Sequence, residues 1–582
     1  MSKYLITNDS SKILIKDDDL IHCKRFNTFQ FHFSNNSPTL KTFESERIFI
    51  ILKGVTSNQE KLKNKEFLSY LQNLSPSKLN QVVDVLDGNY TLIVYYKEIN
   101  RCVMINTPVY MYPSYYYVNE NLFYASSHLD IINTVIKGEP DKVSLLEFLY
   151  FNYPISNNTF IKNIKILPGS SLVDIHEKVS IQKYFDYGSI FQTNLLSKKK
   201  SVDLVHEILS QQINEYVSGN GITGVAQTSG WDSRLLLSFI NDDLKDRYFL
   251  YSWGILGVKD YDIPLQMSKD LGYEYHGVSL DGDFRNAFKK YALEAIFNTS
   301  GYRTITRARY MYASEVLSPK SGYWLSGNCG SNIIKIANFP GTLNNLNVFK
   351  LFASDKLEDA AADLLKKEVI PFIYLDSTVK EEFIERINSS SIIKDNRLTK
   401  NQQFYAFVLS DIESKYFGME LHSYADKIAN FSPFVSFKFI KAISQTPYFG
   451  GHYDLNSRNI LHKYKAARLY SELIARNNKR LLNYTTGPGY AIGDMNHLPG
   501  LIRIAYNFIK TKLTVDPGIA ANYDTKMVLD NLLKEDKLPH NSLIDIEIFK
   551  DLIKKELNMK SNYYLTNAYS YLLWAEEIHK NS

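Results

Sequence analysis

The run Ala226-Gln227-Thr228-Ser229-Gly230-Trp231-Asp232-Ser233-Arg234 holds the residue types that a phosphate-handling loop needs. Small and hydroxyl residues follow an apolar strand candidate and precede a helical stretch. That order aims free backbone N–H groups and a helix N-terminus at one point. Gly230 permits close approach of the backbone, and Ser233 offers a hydroxyl. Asp232 would repel a phosphate unless a cation lay between them, so it points to Mg2+ bridging to pyrophosphate. No G-K-[ST] follows, so this is not a Walker loop. The same residues also suit a plain helix start, in which Asp232 or Ser233 satisfies backbone donors.

The surrounding pattern says what positions this loop. GITGVAQ reads as a strand, WDSRLLLSFI as a helix, YFLYSWG as a second strand, DYDIPLQMSKDLG as a second helix and EYHGVSL as a third strand. Helices are expected over 284–317, with another strand at GYWLSG. Such alternation argues for a parallel α/β sheet. Upstream, FIILKGV, YTLIVYY, RCVMINT and NLFYASS are short β-rich runs bounded by turn residues, interrupted by a helix near VSLLEFLYF. They suggest an antiparallel sandwich or layered α+β unit. Between the two regions, Val202, Val205, Leu209 and Ile213 recur at helical spacing, and Lys198, Lys199 and Lys200 read as a solvated linker before that helix. Beyond 350 the chain reads as largely helical, with loops at NFSPFVS and TTGPGYAIG.

The loop resembles the S-G-G-x-D-S pyrophosphate loop of the N-type ATP pyrophosphatases. Thr228 stands for the first Ser and Ser229 for the first Gly, while Gly230, Asp232 and Ser233 match. Within that group the chain resembles the asparagine synthetase family. LKGVTSN at 52–58, LDGNYTLIVYY at 86–96, YMYPSYYY, NTFIKNIKILPGSSL and LSGNCGSN at 325–332 follow the family's segments in order, with the pyrophosphate loop in its place between them. The resemblance implies an Ntn-type, glutaminase-like α+β sandwich over 1–195. Over 196–582 it implies a Rossmann-like synthetase domain of the adenine-nucleotide α-hydrolase kind, with a helical C-terminal part. It also implies an ATP-dependent, AMP-forming amide ligase in which a carboxylate is adenylated and an amine then attacks. Ala226 and Trp253 match positions lining the adenine pocket, and Ser326 and Gly327 match its closing loop. Asp232 matches a magnesium ligand and Ser233 a pyrophosphate contact. Lys463 or Lys465 stands where the family has a phosphate-binding lysine.

The departures are as informative. The family's glutaminase nucleophile, a Cys after the initiator Met, is Ser2 here, so glutamine hydrolysis through a thiolate is not expected. YASS at 124–127 lacks the acidic residue that follows the serine in the family. The N-terminal unit then reads as a structural remnant or a docking surface. In the closing loop Asn328 replaces a glutamate proposed as general base, and Ser331 replaces an aspartate that holds magnesium. Asn takes no proton at neutral pH, and a neutral hydroxyl is a poor Mg2+ ligand beside a carboxylate. No catalytic base is therefore assigned. Cys329 reads as a packed small residue. Asp260 and Asp262 begin a helix, where acidic residues are favourably placed, and could also supply a carboxylate to the pocket mouth. Two alternatives stay open: a lasso-peptide macrolactam synthetase acting on a precursor peptide, and a non-catalytic binding protein that retains the fold.

Composition sets the bounds. The chain has 582 residues, 45% apolar and 22% charged, with 67 basic against 62 acidic residues. That composition is globular, and a net charge of +5 over this length implies no general polyanion-binding surface, hence no nucleic-acid partner. Cys23, Cys102 and Cys329 form no C-x-x-C pair, so neither a zinc knuckle nor a disulfide framework is suggested. The first residues carry no apolar signal segment and no run is long enough to span a bilayer, so a cytoplasmic protein without membrane contact is expected. The expected partners are ATP with Mg2+ and a carboxylate substrate: an amino acid, a sugar acid or a peptide.

Overall fold

The computed structural model describes residues 2–9, 18–155, 157–191, 194–335, 345–390, 395–455, 459–513, 543–555 and 562–581. The N-terminal region holds two six-stranded antiparallel sheets. One runs, in spatial order, Lys165–Ile166, Tyr115–Asn119, Leu122–Ser126, Tyr4–Thr7, Phe29–Phe33, His22–Phe26. The other runs Val179–Lys183, Ser171–Ile175, Arg101–Asn106, Gly88–Tyr96, Ile48–Thr56, Leu40–Glu44.

The strand Ile48–Thr56 shows why the sheets layer as they do. All nine of its residues are buried. Because side chains alternate along a strand, such a run must be covered on both faces. Phe49 and Ile51 face a core shared with Phe29, Phe31 and Phe123 of the other sheet. Ile48, Ile50 and Leu52 pack under Phe67 and Leu71 of the helix Lys65–Asn73. On the far side, Leu5, Tyr115 and Tyr124 of the first sheet join a core with the helices Leu129–Ile136 and Lys142–Phe151. The result is a helix–sheet–sheet–helix sandwich. Gly54 is required within it: its φ is +140°, and a Cβ there would lie 2.3 Å from the Asn89 carbonyl oxygen. The glycine of LKGVTSN is thus explained by packing.

The second region is built on a five-stranded sheet in the order Tyr275–Ser279, Tyr248–Gly254, Thr223–Ala226, Tyr323–Leu325, Ala429–Phe431. All its pairings are parallel. The helices Trp231–Phe239 and Lys259–Leu271 occur where the alternating pattern places them. Strand order reverses beside Thr223–Ala226, whose neighbours are Tyr248–Gly254 on one side and Tyr323–Leu325 on the other. In open α/β sheets such a reversal leaves a crevice beyond the carboxyl ends of the strands. The following chain is mainly helical, from Leu346–Ala353 onward.

Two expectations are corrected. Lys198, Lys199 and Lys200 are not a linker: they form the first turn of the helix Lys198–Gly219, which starts after Ser197. Part of the segment read as a loop at NFSPFVS is strand: Ala429–Phe431 closes the parallel sheet. Among the described residues no helix is long and apolar enough to cross a membrane.

Candidate functional site

Thr223–Ala226 and Tyr323–Leu325 pair in parallel, so the loops leaving their carboxyl ends emerge side by side. These are the two segments singled out in the sequence, about 100 residues apart along the chain. Their contact is direct. A Cβ on Gly327 would lie 2.7 Å from Asp232 Cβ and 3.0 Å from the Ser233 nitrogen. One on Gly330 would lie 2.7 Å from Asp232 Oδ1. Only residues without side chains let the closing loop sit this near the helix Trp231–Phe239.

Within the first loop, the Ser233 hydroxyl accepts from the Thr228 N–H (3.2 Å), and Thr228 Oγ1 accepts from the Gly230 N–H (3.0 Å). Ser229 donates its N–H (3.0 Å) and its hydroxyl to one carboxylate oxygen of Asp260. The N-cap of the helix Trp231–Phe239 is Gly230, which has no side chain to cap it, while the Ser233 hydroxyl satisfies a backbone donor of the loop, the Thr228 N–H. Arg234, fully buried, is drawn to the loop from below: its guanidinium donates to the carbonyls of Ser229, Tyr484 and Thr485. Burial brings it down to about 10. The TTGPGYAIG segment is thereby held against the same loop, and Lys259 donates to its Gly487 carbonyl at 2.7 Å.

Asp232 is the hub. Its Oδ2 accepts from the Ser331 hydroxyl (2.7 Å) and its Oδ1 from the Tyr470 hydroxyl. Lys335 donates to the same Ser331 oxygen at 2.8 Å, and its ammonium lies 5.7 Å and 5.8 Å from the rings of Trp231 and Tyr470. Burial lowers the Lys335 ammonium, against the opposing pull of Asp232. The Tyr470 hydroxyl is pushed far up, by burial first and the Asp232 charge second. A hydrogen bond to a charged group is worth about 1.5–3 kcal/mol, so Asp232 ties the closing loop and the helix Ile460–Asn477 to one point.

A second carboxyl lies behind the closing loop. Glu413, fully buried, belongs to the π-helical stretch Val408–Gly418, a form of helix that recurs at functional sites. Its Oε1 accepts from Asn332 Nδ2 at 3.0 Å, and the Cys329 thiol lies beside it. Burial pushes Glu413 up to about 7, against the opposing effect of Cys329 and Asn332. The Cys329 thiol is pushed far up by burial and then by Glu413, which makes it an unreactive packed group, as its 6% exposure also says. Its φ of +69° turns the chain into the short helix Gly330–Ile334.

The remaining expected residues divide. Ala226 ends one strand and Trp253 is the last residue but one of its parallel neighbour, and Trp253 sits among Tyr251, Tyr310 and Trp324, with ring centres 5.7, 5.0 and 6.1 Å away. Ser326 is buried and donates to Asn430 Oδ1 at 2.8 Å, so its hydroxyl faces the adjacent strand. Asp260 is brought to the loop, whereas Asp262 accepts from the Gly257 N–H at 3.1 and 3.2 Å. Lys465 does not join the site: its ammonium lies over the Tyr453 ring at 5.1 Å. The Lys463 side chain lies outside the described residues. The lysine beside Asp232 is Lys335, which its sequence neighbourhood does not flag. Ser2, in the N-terminal region, is 3% exposed; its hydroxyl donates to the Ala425 carbonyl and accepts from buried Lys53 at 2.6 Å. Among the described residues no group of three His, Cys, Asp or Glu side chains is placed to hold a metal ion.

No protein-family model matches the chain, and no curated protein matches it. Among solved structures it is similar to one titled glutamine phosphoribosylpyrophosphate amidotransferase from B. subtilis complexed with ADP and GMP. The identity is 9% and the TM-score 0.20, over 47% of this chain and 59% of that one. The chain thus spans less than two thirds of that structure's length, and a likeness of this size bears on neither activity nor ligand.

Proposed function

We propose that the chain is an ATP-dependent, AMP-forming amide ligase of asparagine synthetase type that does not generate its own ammonia from glutamine. The observation that carries the reading is the meeting of Asp232 and Gly327 at the reversal point of the parallel sheet, which joins the two loops that resemble the family's pyrophosphate and closing loops. The residues fit a magnesium nucleotide. Mg2+ usually takes one or two carboxylates and completes its shell with phosphate oxygens and water. Asp232 supplies one carboxylate and Asp260 stands at the same loop. Bound ATP would supply the activated phosphorus at which a substrate carboxylate is adenylated.

The chain's own residues then have distinct tasks. Gly230 lets phosphate approach the uncapped N-terminus of the helix Trp231–Phe239. Lys335 holds positive charge beside Asp232, where pyrophosphate charge would develop. Ala226 and Trp253 offer an apolar and an aromatic wall at the strand ends. Asn328 takes up no proton, so the attacking amine arrives neutral or passes its proton to water.

A binding protein that retained the fold is the second reading, and one contact favours it. Asp260 already accepts the Ser229 N–H, a donor that a phosphate would otherwise use. A lasso-type cyclase is the same chemistry with acid and amine on one peptide. ATP–pyrophosphate exchange with amino acids, sugar acids and peptides as acids separates the readings. Exchange with any of them supports the ligase; none with any class, at saturating Mg2+-ATP, leaves the binding protein.

A further inference from the structure

At the opposite end of the parallel sheet, beside the amino ends of its strands, lies a cavity of about 370 Å3 that the ligase reading does not use. It opens between the two regions of the chain. Lys41 comes from the sandwich edge strand Leu40–Glu44, and Lys63 from the turn Glu60–Lys63. Asn220 precedes the strand Thr223–Ala226, Arg247 precedes Tyr248–Gly254, and Tyr323 begins Tyr323–Leu325.

The charge on its walls is one-sided. Lys41, Lys63 and Arg247 line it against one carboxylate, Glu60, which pairs with Lys63 at 2.8 Å. Arg247 donates to the Ser218 and Asn220 carbonyls at 2.9 and 2.7 Å, capping the helix Lys198–Gly219, and makes no ion pair among the described residues. Lys41 is half-buried and has neither a hydrogen bond nor an ion pair from its ammonium among the described residues. Burial lowers the Lys41 ammonium, and Lys63 nearby lowers it further. Lys63 is exposed and paired with Glu60, so the unmet charge in the cavity is that of half-buried Lys41, which a bound anion relieves.

We propose that this cavity is an anion-binding site that takes the phosphate or carboxylate head of a small metabolite between Lys41, Lys63 and Arg247. The volume suits a small molecule rather than a folded partner. The Lys41 ammonium gains its missing partner, and the ligand bridges the sandwich to the start of the strand Tyr248–Gly254, which Arg247 precedes.

The test titrates the full-length chain by calorimetry with inorganic phosphate and, separately, with citrate at low ionic strength. Binding of either is expected, weakening as salt rises. Affinity should fall at least tenfold in Lys41→Gln and in the exposed-site variant Lys63→Gln, and stay within twofold in Lys290→Gln, which removes a lysine that lines neither this cavity nor the ligase site. Phosphate binding alone identifies a phosphorylated ligand; citrate binding alone, a carboxylate. Failure of the chain to bind either anion would overturn the proposal. So would affinity unchanged in both Lys41→Gln and Lys63→Gln, or a loss in Lys290→Gln equal to theirs. The ligase reading stands or falls separately, on pyrophosphate exchange.

Discussion

Replacing Glu413 by Gln should make the protein more stable at pH 8 than the unaltered chain, and leave it nearly unchanged at pH 4.5. Glu413 rises from the ordinary 4.5 to about 7 because burial disfavours its charge. Folding therefore favours the protonated carboxyl. The stability this gives is fully present below pH 4.5 and is lost as pH rises through 7, because the folded chain then binds a proton that the unfolded chain releases. The separation of the two values corresponds to about 3 kcal/mol, at 1.36 kcal/mol per pH unit. Gln keeps a side-chain carbonyl to accept from Asn332 and carries no charge to desolvate. The assay is the urea midpoint, followed by tryptophan fluorescence, for both proteins at pH 4.5, 6 and 8. Glu147, which burial raises to about 8, adds a slope of the same sign to both proteins and cancels in the difference. A midpoint difference that does not change with pH would refute the reasoning. So would a Gln variant that is less stable at pH 8.

Three further outcomes follow from the same contacts. Ser331→Asp should strengthen Mg2+-ATP binding by calorimetry, because a second carboxylate beside Asp232 suits a hard cation better than a hydroxyl does. Asn328→Glu should lower turnover in pyrophosphate release, by desolvating a new charge against the substrate acyl group. The purified chain should release no ammonia from glutamine, since the Ser2 hydroxyl is buried and held by Lys53; release that disappears in Ser2→Ala would contradict this.

Much of the frame was readable in the sequence because its patterns are local. The alternation from Thr223 to Leu325 specifies parallel strands, and the glycine at 327 lies in a loop that had to meet the helix start at 231. The strand Ala429–Phe431 is not legible in the sequence because three residues with Asn430 at the centre carry no period. Lys198–Lys200 read as a linker because three charged residues carry no apolar period to mark where the helix behind them begins. Lys335, Glu413 and Tyr470 reach the site only through tertiary packing: their partners lie 4, 81 and 238 positions away. Lys335 is near Ser331 in sequence, yet only the docking of Ser331 on Asp232 gives that nearness a meaning. Lys465 sits in the right stretch of chain and points elsewhere, over Tyr453.

On the proposed function, Asp232 holds a magnesium nucleotide at the reversal of the parallel sheet. Calorimetric titration of Mg2+-ATP into the full chain and into Asp232→Asn tests it most directly. Asn retains an acceptor for the Ser331 or Tyr470 hydroxyl, so the fold should survive while the anionic metal ligand is lost. Binding by the unaltered chain is expected to require Mg2+ and to fall at least tenfold in the variant. Equal affinity in the two proteins, or binding indifferent to Mg2+, would mean that Asp232 only ties the closing loop to the helix.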